Sequence, residues 1–252
     1  MVSFSLKDKV ALITGASRGI GKAIALTLAE YGAHCILASR KIDDLKAVEN
    51  KIKEAGGKAD SIACHMGDLK QVESLISGIG KRFGKLNILV NNAATNPHFG
   101  GMLTASEGMW DKTHAVNLKG PFFLIQKAAP LIEASGGGSI VNIASVNGVK
   151  PGLNRGIYSI SKAGMILMTK AYAEELAPKK IRVNALLPGL TETKFAGALF
   201  QDEAIYKEAL KSIPLGRSAK PEEMAGAVLY LVSEASSFTT GSCLICDGGR
   251  LI

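Results

Sequence analysis

Short apolar runs alternate with longer amphipathic segments along most of this chain. Each short run is apolar at nearly every position, which is typical of a β-strand that is buried on both faces. The pattern predicts seven strands: Val10–Thr14, His34–Ala38, Ser61–Cys64, Leu86–Val90, Ser139–Ile143, Ile181–Leu186 and Ser242–Cys246.

Between these runs, apolar residues recur at helical spacing, as at Ile20, Ile24 and Leu28. The segment 191–211 does not fit the alternation and follows Pro188 and Gly189. It is predicted to be a helical insertion that acts as a lid over a substrate site. The predicted helices are Gly19–Glu30, Asp43–Glu54, Leu69–Arg82, Ser106–Ala134, Ile157–Leu176 and Pro221–Leu231.

Strands that alternate with helices form βαβ units, which predicts an α/β fold. We expect one Rossmann domain over residues 1–252, with a doubly wound, seven-stranded parallel sheet and helices on both faces. No linker rich in proline and serine divides the chain. Its 252 residues, 47% of them hydrophobic, suffice for one well-filled core and exclude a disordered or disulfide-stapled chain.

The net charge of +8 favours anionic partners such as nucleic acid, anionic lipid or a phosphorylated cofactor. The longest basic runs are only pairs, such as Lys81 with Arg82, and no basic stretch is interleaved with aromatic residues. This distribution indicates solvated faces and no nucleic-acid partner. The start of the chain lacks the apolar region of a signal peptide, and no apolar run is long enough for a membrane span. We expect a cytoplasmic protein with no membrane partner.

Cys243 and Cys246 form a C-x-x-C pair, a spacing that can bind zinc or carry out redox chemistry. In a strand, residues three apart point to opposite faces, so the two thiols diverge. No second pair or nearby histidine completes a tetrahedral site. These cysteines are therefore predicted to be small buried hydrophobic residues, and no metal is expected.

The first predicted strand is followed by a glycine-rich loop with glycines at Gly15, Gly19 and Gly21. Such a loop, placed between a strand and a helix, lets a pyrophosphate approach the backbone at the helix N-terminus. Two other motifs overlap this loop. The first is the G-x-S-x-G nucleophile elbow of serine hydrolases, with Ser17 as the nucleophile, but that fold also needs a histidine near the chain end, and this chain has none there. The second is a P-loop, which would need a glycine where Ala16 stands.

The residues after the second strand indicate which dinucleotide binds. An NAD site usually has an acidic residue there to bind the ribose hydroxyls, but this chain has Ser39, Arg40 and Lys41. The planar guanidinium of Arg40 suits a 2′-phosphate, and Arg18 in the glycine loop can lie on the same side. We therefore expect NADP(H) to be preferred over NAD(H).

A third group of residues could carry chemistry. Tyr158 and Lys162 are four apart on a helical pattern and so share one face. Ser145 follows the fifth strand, at the sheet edge where doubly wound folds place their ligands. A tyrosine and a lysine at this spacing are weak evidence alone, because the pair is expected often by chance.

Taken together, these motifs resemble the short-chain dehydrogenase/reductase family, from about Lys9 to Gly249. Further motifs appear in the family's order: Asp68 after the third strand, Asn91-Asn92-Ala93 after the fourth, Pro188-Gly189 after the sixth and Asp247-Gly248-Gly249 after the last. The catalytic residues that the resemblance implies are Asn117, Ser145, Tyr158 and Lys162. The cofactor-binding residues are taken as Gly15, Ser17, Arg18, Gly19, Ile20, Gly21, Ser39, Arg40, Lys41, Gly67, Asp68, Asn92, Ala93, Ala94, Tyr158, Lys162, Pro188, Gly189, Leu190, Thr191 and Thr193.

The resemblance also implies a role for each residue. Tyr158 donates a proton to a substrate carbonyl whose carbon receives hydride from nicotinamide, and the Lys162 ammonium stabilises the phenolate. Ser145 binds the reacting oxygen, and Asn117 anchors a water that leads towards Lys162. Asp68 binds the adenine edge through its carboxylate.

Several stretches resemble the family's NADPH-dependent carbonyl reductases, which implies reversible reduction of a ketone or aldehyde and a homotetramer. The alternatives are a 3-oxoacyl-thioester reductase and a non-catalytic dinucleotide-binding module. A mostly apolar substrate pocket favours a hydrophobic carbonyl compound. Its expected residues are Asn96, Phe99, Val146, Asn147, Leu153 and Leu190.

Overall fold

The computed structural model describes residues 2–193 and 203–252. Within these ranges, seven strands form one parallel sheet in the order β3-β2-β1-β4-β5-β6-β7. The predicted Rossmann fold is therefore confirmed. The strands are β1 Val10–Thr14, β2 His34–Ser39, β3 Lys58–Ala63, β4 Ile88–Asn91, β5 Gly138–Ile143, β6 Ile181–Pro188 and β7 Cys243–Cys246.

Strand β3 begins three residues before the predicted start at Ser61. It pairs with β2 from His34 to Ser39 and lies at the sheet edge, where its polar residues are partly exposed. An edge strand does not need a continuous apolar run, so the hydrophobic pattern revealed only half of it.

The helices of the described residues cover both faces of the sheet. Residues of α1, α2 and α8 pack on one face, and residues of α3, α5 and α6 pack on the other. The helices are α1 Gly19–Glu30, α2 Ile42–Glu54, α3 Leu69–Phe83, α4 Glu107–His114, α5 Gly120–Ala134, α6 Gly156–Leu176, α7 Glu203–Lys211 and α8 Pro221–Val232.

The predicted helix Ser106–Ala134 is not continuous. It is divided into α4 and α5 by a π-helical turn at Ala115–Lys119. Pro121 lacks the N–H that a continuous α-helix would donate to the carbonyl of Asn117, which favours the wider turn. Gly120 also passes so close to the carbonyl of Met66 that a β-carbon would overlap it. The interruption is thus built into the local sequence.

The lid prediction covers residues 191–211, of which 194–202 lie outside the described part of the chain. Within the described part, Thr191 bridges to Ala219, and α7 is helical as expected. None of the described helices has the length and apolar character that a membrane crossing requires.

The two cysteines of the C-x-x-C pair lie on β7, the opposite edge strand. Cys243 and Cys246 pack against the core on opposite faces of the sheet, as their spacing predicted, but on this edge strand they are only partly buried. Both are free thiols, and no cluster of metal-binding side chains occurs among the described residues.

Candidate active site

A cavity of about 310 Å³ lies at the carboxyl edge of the sheet. The segments that follow all seven strands contribute to its walls. This is the edge at which doubly wound sheets bind their ligands, so the topology itself brings the predicted residues together. All of the predicted cofactor-binding residues except Gly67 and Asp68 line it.

The glycine loop shapes one end of the cavity. Gly15 and Gly19 have φ angles of +65° and +55°, a left-handed backbone that favours glycine. Gly21 has an ordinary φ, but a β-carbon there would overlap the side chain of Asn92 and the backbone of Gly15. Helix α1 begins at Gly19 with no side-chain cap, so its N-terminal N–H groups suit an external anion. The loop therefore fits the pyrophosphate of a dinucleotide.

Asn92 and Thr14 hold this loop against β4. The Asn92 side-chain amide donates to the carbonyls of Thr14 and Gly15, at 2.9 and 3.2 Å. The Thr14 hydroxyl accepts from the N–H groups of Asn92 and Ala93, at 3.0 and 3.1 Å. The residues of the Asn-Asn-Ala motif thus support the shape of the loop.

A basic group lies where the second strand ends. Arg18, Ser39, Arg40 and Lys41 all line the cavity there. Among the described residues, the three cations Arg18, Arg40 and Lys41 form no ion pair within 4 Å. Asp44, an acidic residue in the first turn of α2, also lines this end.

The structure does not bring Gly67 and Asp68 to the cavity wall. The Asp68 carboxylate caps α3, accepting from the N–H groups of Lys70 and Gln71. These hydrogen bonds lower the pKa of Asp68, and the bond from the Gln71 backbone N–H has the largest effect. The sequence assigned this carboxylate to an adenine base, whereas an aspartate at a helix start serves equally well as a cap.

At the other end of the cavity, Ser145 and Tyr158 lie together. Their hydroxyl groups are hydrogen-bonded, and both residues are buried. Burial raises the pKa of Tyr158 to about 12, while the bond to Ser145 and the positive charge of Arg155 oppose that rise. The phenol is thus neutral at physiological pH and can act as a proton donor.

Lys162 lies one turn after Tyr158 and is only 1% exposed. Its ammonium donates to the carbonyl of Ile143 at 2.7 Å and lies 5.6 Å from the centre of the Tyr158 ring. Burial lowers the pKa of Lys162 to about 7. The sequence assigned stabilisation of the phenolate to Lys162. Among the described residues, the positive charge of Arg155 lowers the pKa of Tyr158.

Asn117 lies in the π-helical turn and is fully buried, so it does not line the cavity. Its side-chain oxygen accepts from the N–H of Thr95 at 2.8 Å. Its amide donates to the carbonyl of Thr95 and the hydroxyl of Ser161, at 2.9 and 3.1 Å. Ser161 lies on α6 between Tyr158 and Lys162, so Asn117 ties α6 to the loop after β4.

Of the predicted substrate residues, Val146, Asn147 and Leu190 line the cavity, whereas Asn96, Phe99 and Leu153 do not. Loop segments without a periodic pattern gave little basis for choosing among them. The cavity residues that sequence reasoning did not assign to a site are Asp44, Cys64, His65, Thr95, Lys112, Val116, Ile143, Ala144, Arg155 and Arg250.

The sequence is similar to reductases and dehydrogenases. A family model described as enoyl-(acyl carrier protein) reductase matches residues 15–250. Dehydrogenase/reductase SDR family member 4 from Mus musculus is 39% identical over 244 residues, covering 97% of this chain and 88% of the relative. The 3-oxoacyl-[acyl-carrier-protein] reductase FabG of Thermotoga maritima is 39% identical over 247 residues, covering 98% of this chain and 99% of the relative.

Solved structures agree with this likeness. A gluconate 5-dehydrogenase from Burkholderia cenocepacia, in complex with NADP and tartrate, matches with a TM-score of 0.94 at 33% identity. The match covers 98% of this chain and 97% of that chain. A short-chain type dehydrogenase/reductase from Mycobacterium marinum matches with a TM-score of 0.92 at 39% identity, over 98% and 97% of the two chains.

The fold, the cavity and these likenesses define an oxidoreductase that uses a nicotinamide dinucleotide and acts on small molecules. The chain belongs to the short-chain dehydrogenase/reductase family. The alternative of a non-catalytic dinucleotide-binding module is therefore not retained.

Proposed function

We propose that this enzyme reduces a ketone or aldehyde to an alcohol, reversibly, with NADPH as its preferred cofactor. The observation that carries the proposal is the hydrogen-bonded pair of Tyr158 and Ser145 at the cavity wall, one helical turn from the buried Lys162. Such a pair can hold a carbonyl oxygen and supply a proton to it.

When bound, the nicotinamide supplies the hydride in the reductive direction. Tyr158 donates its phenolic proton to the carbonyl oxygen, and Ser145 donates a hydrogen bond to the same oxygen as negative charge develops. Lys162, whose pKa is about 7, exchanges protons readily at neutral pH and would also hold the nicotinamide ribose. The glycine loop and the N-terminus of α1 would hold the pyrophosphate.

The preference for NADPH is supported by Arg18 and Arg40, which line the cavity near the end of β2 without a described acidic partner. A guanidinium can bind a phosphate through two parallel hydrogen bonds. The NADP in the gluconate 5-dehydrogenase structure is consistent with the same preference.

The second candidate is reduction of a 3-oxoacyl thioester. It is favoured by the likeness to the reductase of Thermotoga maritima, which covers 98% of this chain. Both candidates use the same proton donor, so only the substrate separates them. Assays of acyl thioesters against free ketones and diketones would show which class has the larger kcat/KM.

We also propose a homotetramer in which helices α5 and α6 pair across a two-fold axis. Large apolar side chains on these helices, Phe122, Ile160 and Leu167, are exposed in the single chain, which supports such an interface. Sedimentation at the monomer mass would contradict it. A substrate lid over 191–211 and a cytoplasmic location stay predictions from the sequence.

The test of the proposed function is Tyr158→Phe, with Tyr172→Phe as its matched control. Tyr172 lies on the same helix and donates its hydroxyl to the carbonyl of Phe122 at 3.0 Å, away from the cavity. We expect Tyr158→Phe to lower kcat by about 10²–10⁴-fold, because the proton donor is lost. NADPH binding, followed by nicotinamide fluorescence, should persist. Undiminished turnover would contradict the assigned role of Tyr158.

A further inference from the structure

Two arginine side chains meet at the substrate end of the cavity, although they are far apart in sequence. Arg155 immediately precedes α6 and lies three residues before Tyr158, whereas Arg250 follows the last strand. Both line the same cavity as Tyr158 and Ser145. The fold therefore places both arginines in the cavity that holds these hydroxyls, with Arg155 close enough to Tyr158, and Arg250 close enough to Arg155, for their charges to interact.

These two positive charges are not compensated within the described residues. Neither Arg155 nor Arg250 forms an ion pair there, although both are half-buried. Burial and the like charge of Arg250 lower the pKa of Arg155. Like charges in a partly dry cavity raise the free energy of the empty site, and binding an anion would offset that cost.

Two other arginines have a structural role, because their guanidinium groups already have partners within the protein. Arg182 is also half-buried, but it donates to the hydroxyl of Ser236 and to two backbone carbonyls. Arg217 forms a two-pronged ion pair with Glu223. By contrast, the side chain of Arg155 rests against the ring of Phe99, with 5.5 Å between the guanidinium carbon and the ring centre. This stacking limits the orientation of the guanidinium and leaves its N–H donors for another partner.

We infer that Arg155 and Arg250 bind an anionic group of the substrate, a carboxylate or a phosphate, while its carbonyl oxygen lies against Tyr158 and Ser145. A guanidinium fork matches either oxyanion in two-pronged geometry. This inference rests on the proposed carbonyl reduction and adds a charged group to the substrate, for which the sequence alone favoured a hydrophobic carbonyl compound.

Arg155 has a second effect that the experiment must separate from substrate binding. Its charge lowers the pKa of Tyr158, so removing it would alter turnover of every substrate. The informative quantity is therefore the ratio of kcat/KM for an anionic substrate to kcat/KM for its neutral counterpart. Any general effect on Tyr158 cancels in that ratio.

The test compares a homologous series of short oxo acids with their methyl esters, and dihydroxyacetone phosphate with dihydroxyacetone. Arg155 lies at the start of α6, three residues before Tyr158, a separation of about 4.5 Å at the rise of an α-helix. The series should therefore keep the anion within a few carbons of the ketone. The variants are Arg155→Gln and Arg250→Gln. The control is Arg82→Gln, which removes an exposed arginine paired with Asp60, outside the cavity.

We expect the best anionic substrate to exceed its neutral counterpart about tenfold to a hundredfold in kcat/KM, the range for charge-assisted hydrogen bonds. Arg155→Gln and Arg250→Gln should each lower that ratio about tenfold, and Arg82→Gln should leave it unchanged. If the ratio is larger for the oxo acids, the anion bound is a carboxylate. If it is larger for dihydroxyacetone phosphate, the anion bound is a phosphate. Equal rates for anionic and neutral members, or a ratio that Arg155→Gln does not move, would overturn the inference.

A binding measurement distinguishes failure of this inference from failure of the proposed function. Succinate and inorganic phosphate are unreactive anions whose binding can be followed by calorimetry in the presence of NADP⁺. Binding that Arg155→Gln abolishes, in a protein that reduces no carbonyl compound, would support the arginine site and contradict the proposed function. Absence of both binding and reduction would contradict both.

Discussion

The cofactor end and the substrate end of the cavity are built in different ways. The glycine loop of the cofactor end is shaped largely by backbone: Gly15 and Gly19 adopt left-handed conformations, and Gly21 leaves room for Asn92. The substrate end is made of side chains, among them Arg155 and Arg250, which come from segments far apart in sequence. A backbone-built site depends on a local sequence pattern, whereas a site built from distant side chains depends on the folded structure.

The largest expected effect follows from adding one methyl group at the cofactor end. In Gly21→Ala the new β-carbon would overlap the Asn92 side chain and the Gly15 carbonyl. We expect the free energy of unfolding to fall by about 1–3 kcal/mol, as in overpacked cores, and NADPH binding to weaken with the displaced loop. Urea denaturation and nicotinamide fluorescence titration measure the two effects.

The matched control for this change is Gly78→Ala on α3, where a β-carbon would meet nothing within 4 Å. Replacing an interior helical glycine by alanine should raise the free energy of unfolding by about 0.5–1 kcal/mol. If both variants bound NADPH as tightly as the parent chain, the close approach at Gly21 would not be needed for the cofactor loop.

The next largest effect concerns the part of the cofactor end that would hold the adenosine ribose and its 2′-phosphate. Arg40→Gln removes one guanidinium near the end of β2 while keeping a polar side chain. We expect the preference for NADPH over NADH to fall about tenfold to a hundredfold, with NADH affinity nearly unchanged. Separate titrations with the two cofactors, with Arg82→Gln as the charge control, give the ratio. An unchanged ratio would mean that Arg40 does not contact the 2′-phosphate.

These contrasts explain how much of the molecule could be predicted from sequence. Six of the seven strands and the glycine loop were located closely, because buried parallel strands are apolar and the loop requires glycine at fixed spacing. The strand β3 was half missed, since an edge strand keeps polar residues. The break at Ala115–Lys119 was missed although Gly120 and Pro121 signal it, because the apolar pattern continues across it.

The candidate site divides in the same way. Tyr158, Lys162 and Ser145 could be placed together because the helix period and the strand end fix their positions. Arg155 carried a weak signal, because it lies only three residues before Tyr158, at the start of α6. Nothing in the sequence places Arg250 near Tyr158, since their proximity results from the packing of β7 beside β6.

The smallest expected effect concerns Lys162, which lies where the two ends of the cavity meet. Its pKa falls from about 10.5 to about 7 on folding, because burial disfavours the charged ammonium. At a pH between these two pKa values, Lys162 is protonated in the unfolded chain and neutral in the folded chain. Stability of the cofactor-free protein should therefore rise with pH in this window, by about 1.4 kcal/mol from pH 8 to pH 9 for this one group.

The comparison with Lys162→Met isolates that contribution. Methionine is of similar length and cannot titrate, so the free energy of unfolding of the variant should lack the rise with pH that Lys162 contributes. Loss of the hydrogen bond to the Ile143 carbonyl should lower the stability of the variant at every pH. Other titrating groups, such as the thiol of Cys64, contribute equally to both chains and cancel in the difference. Urea denaturation at pH 8 and pH 9 measures both slopes. Equal slopes would mean that Lys162 remains charged in the folded protein, and the proton exchange assigned to it would then need another group.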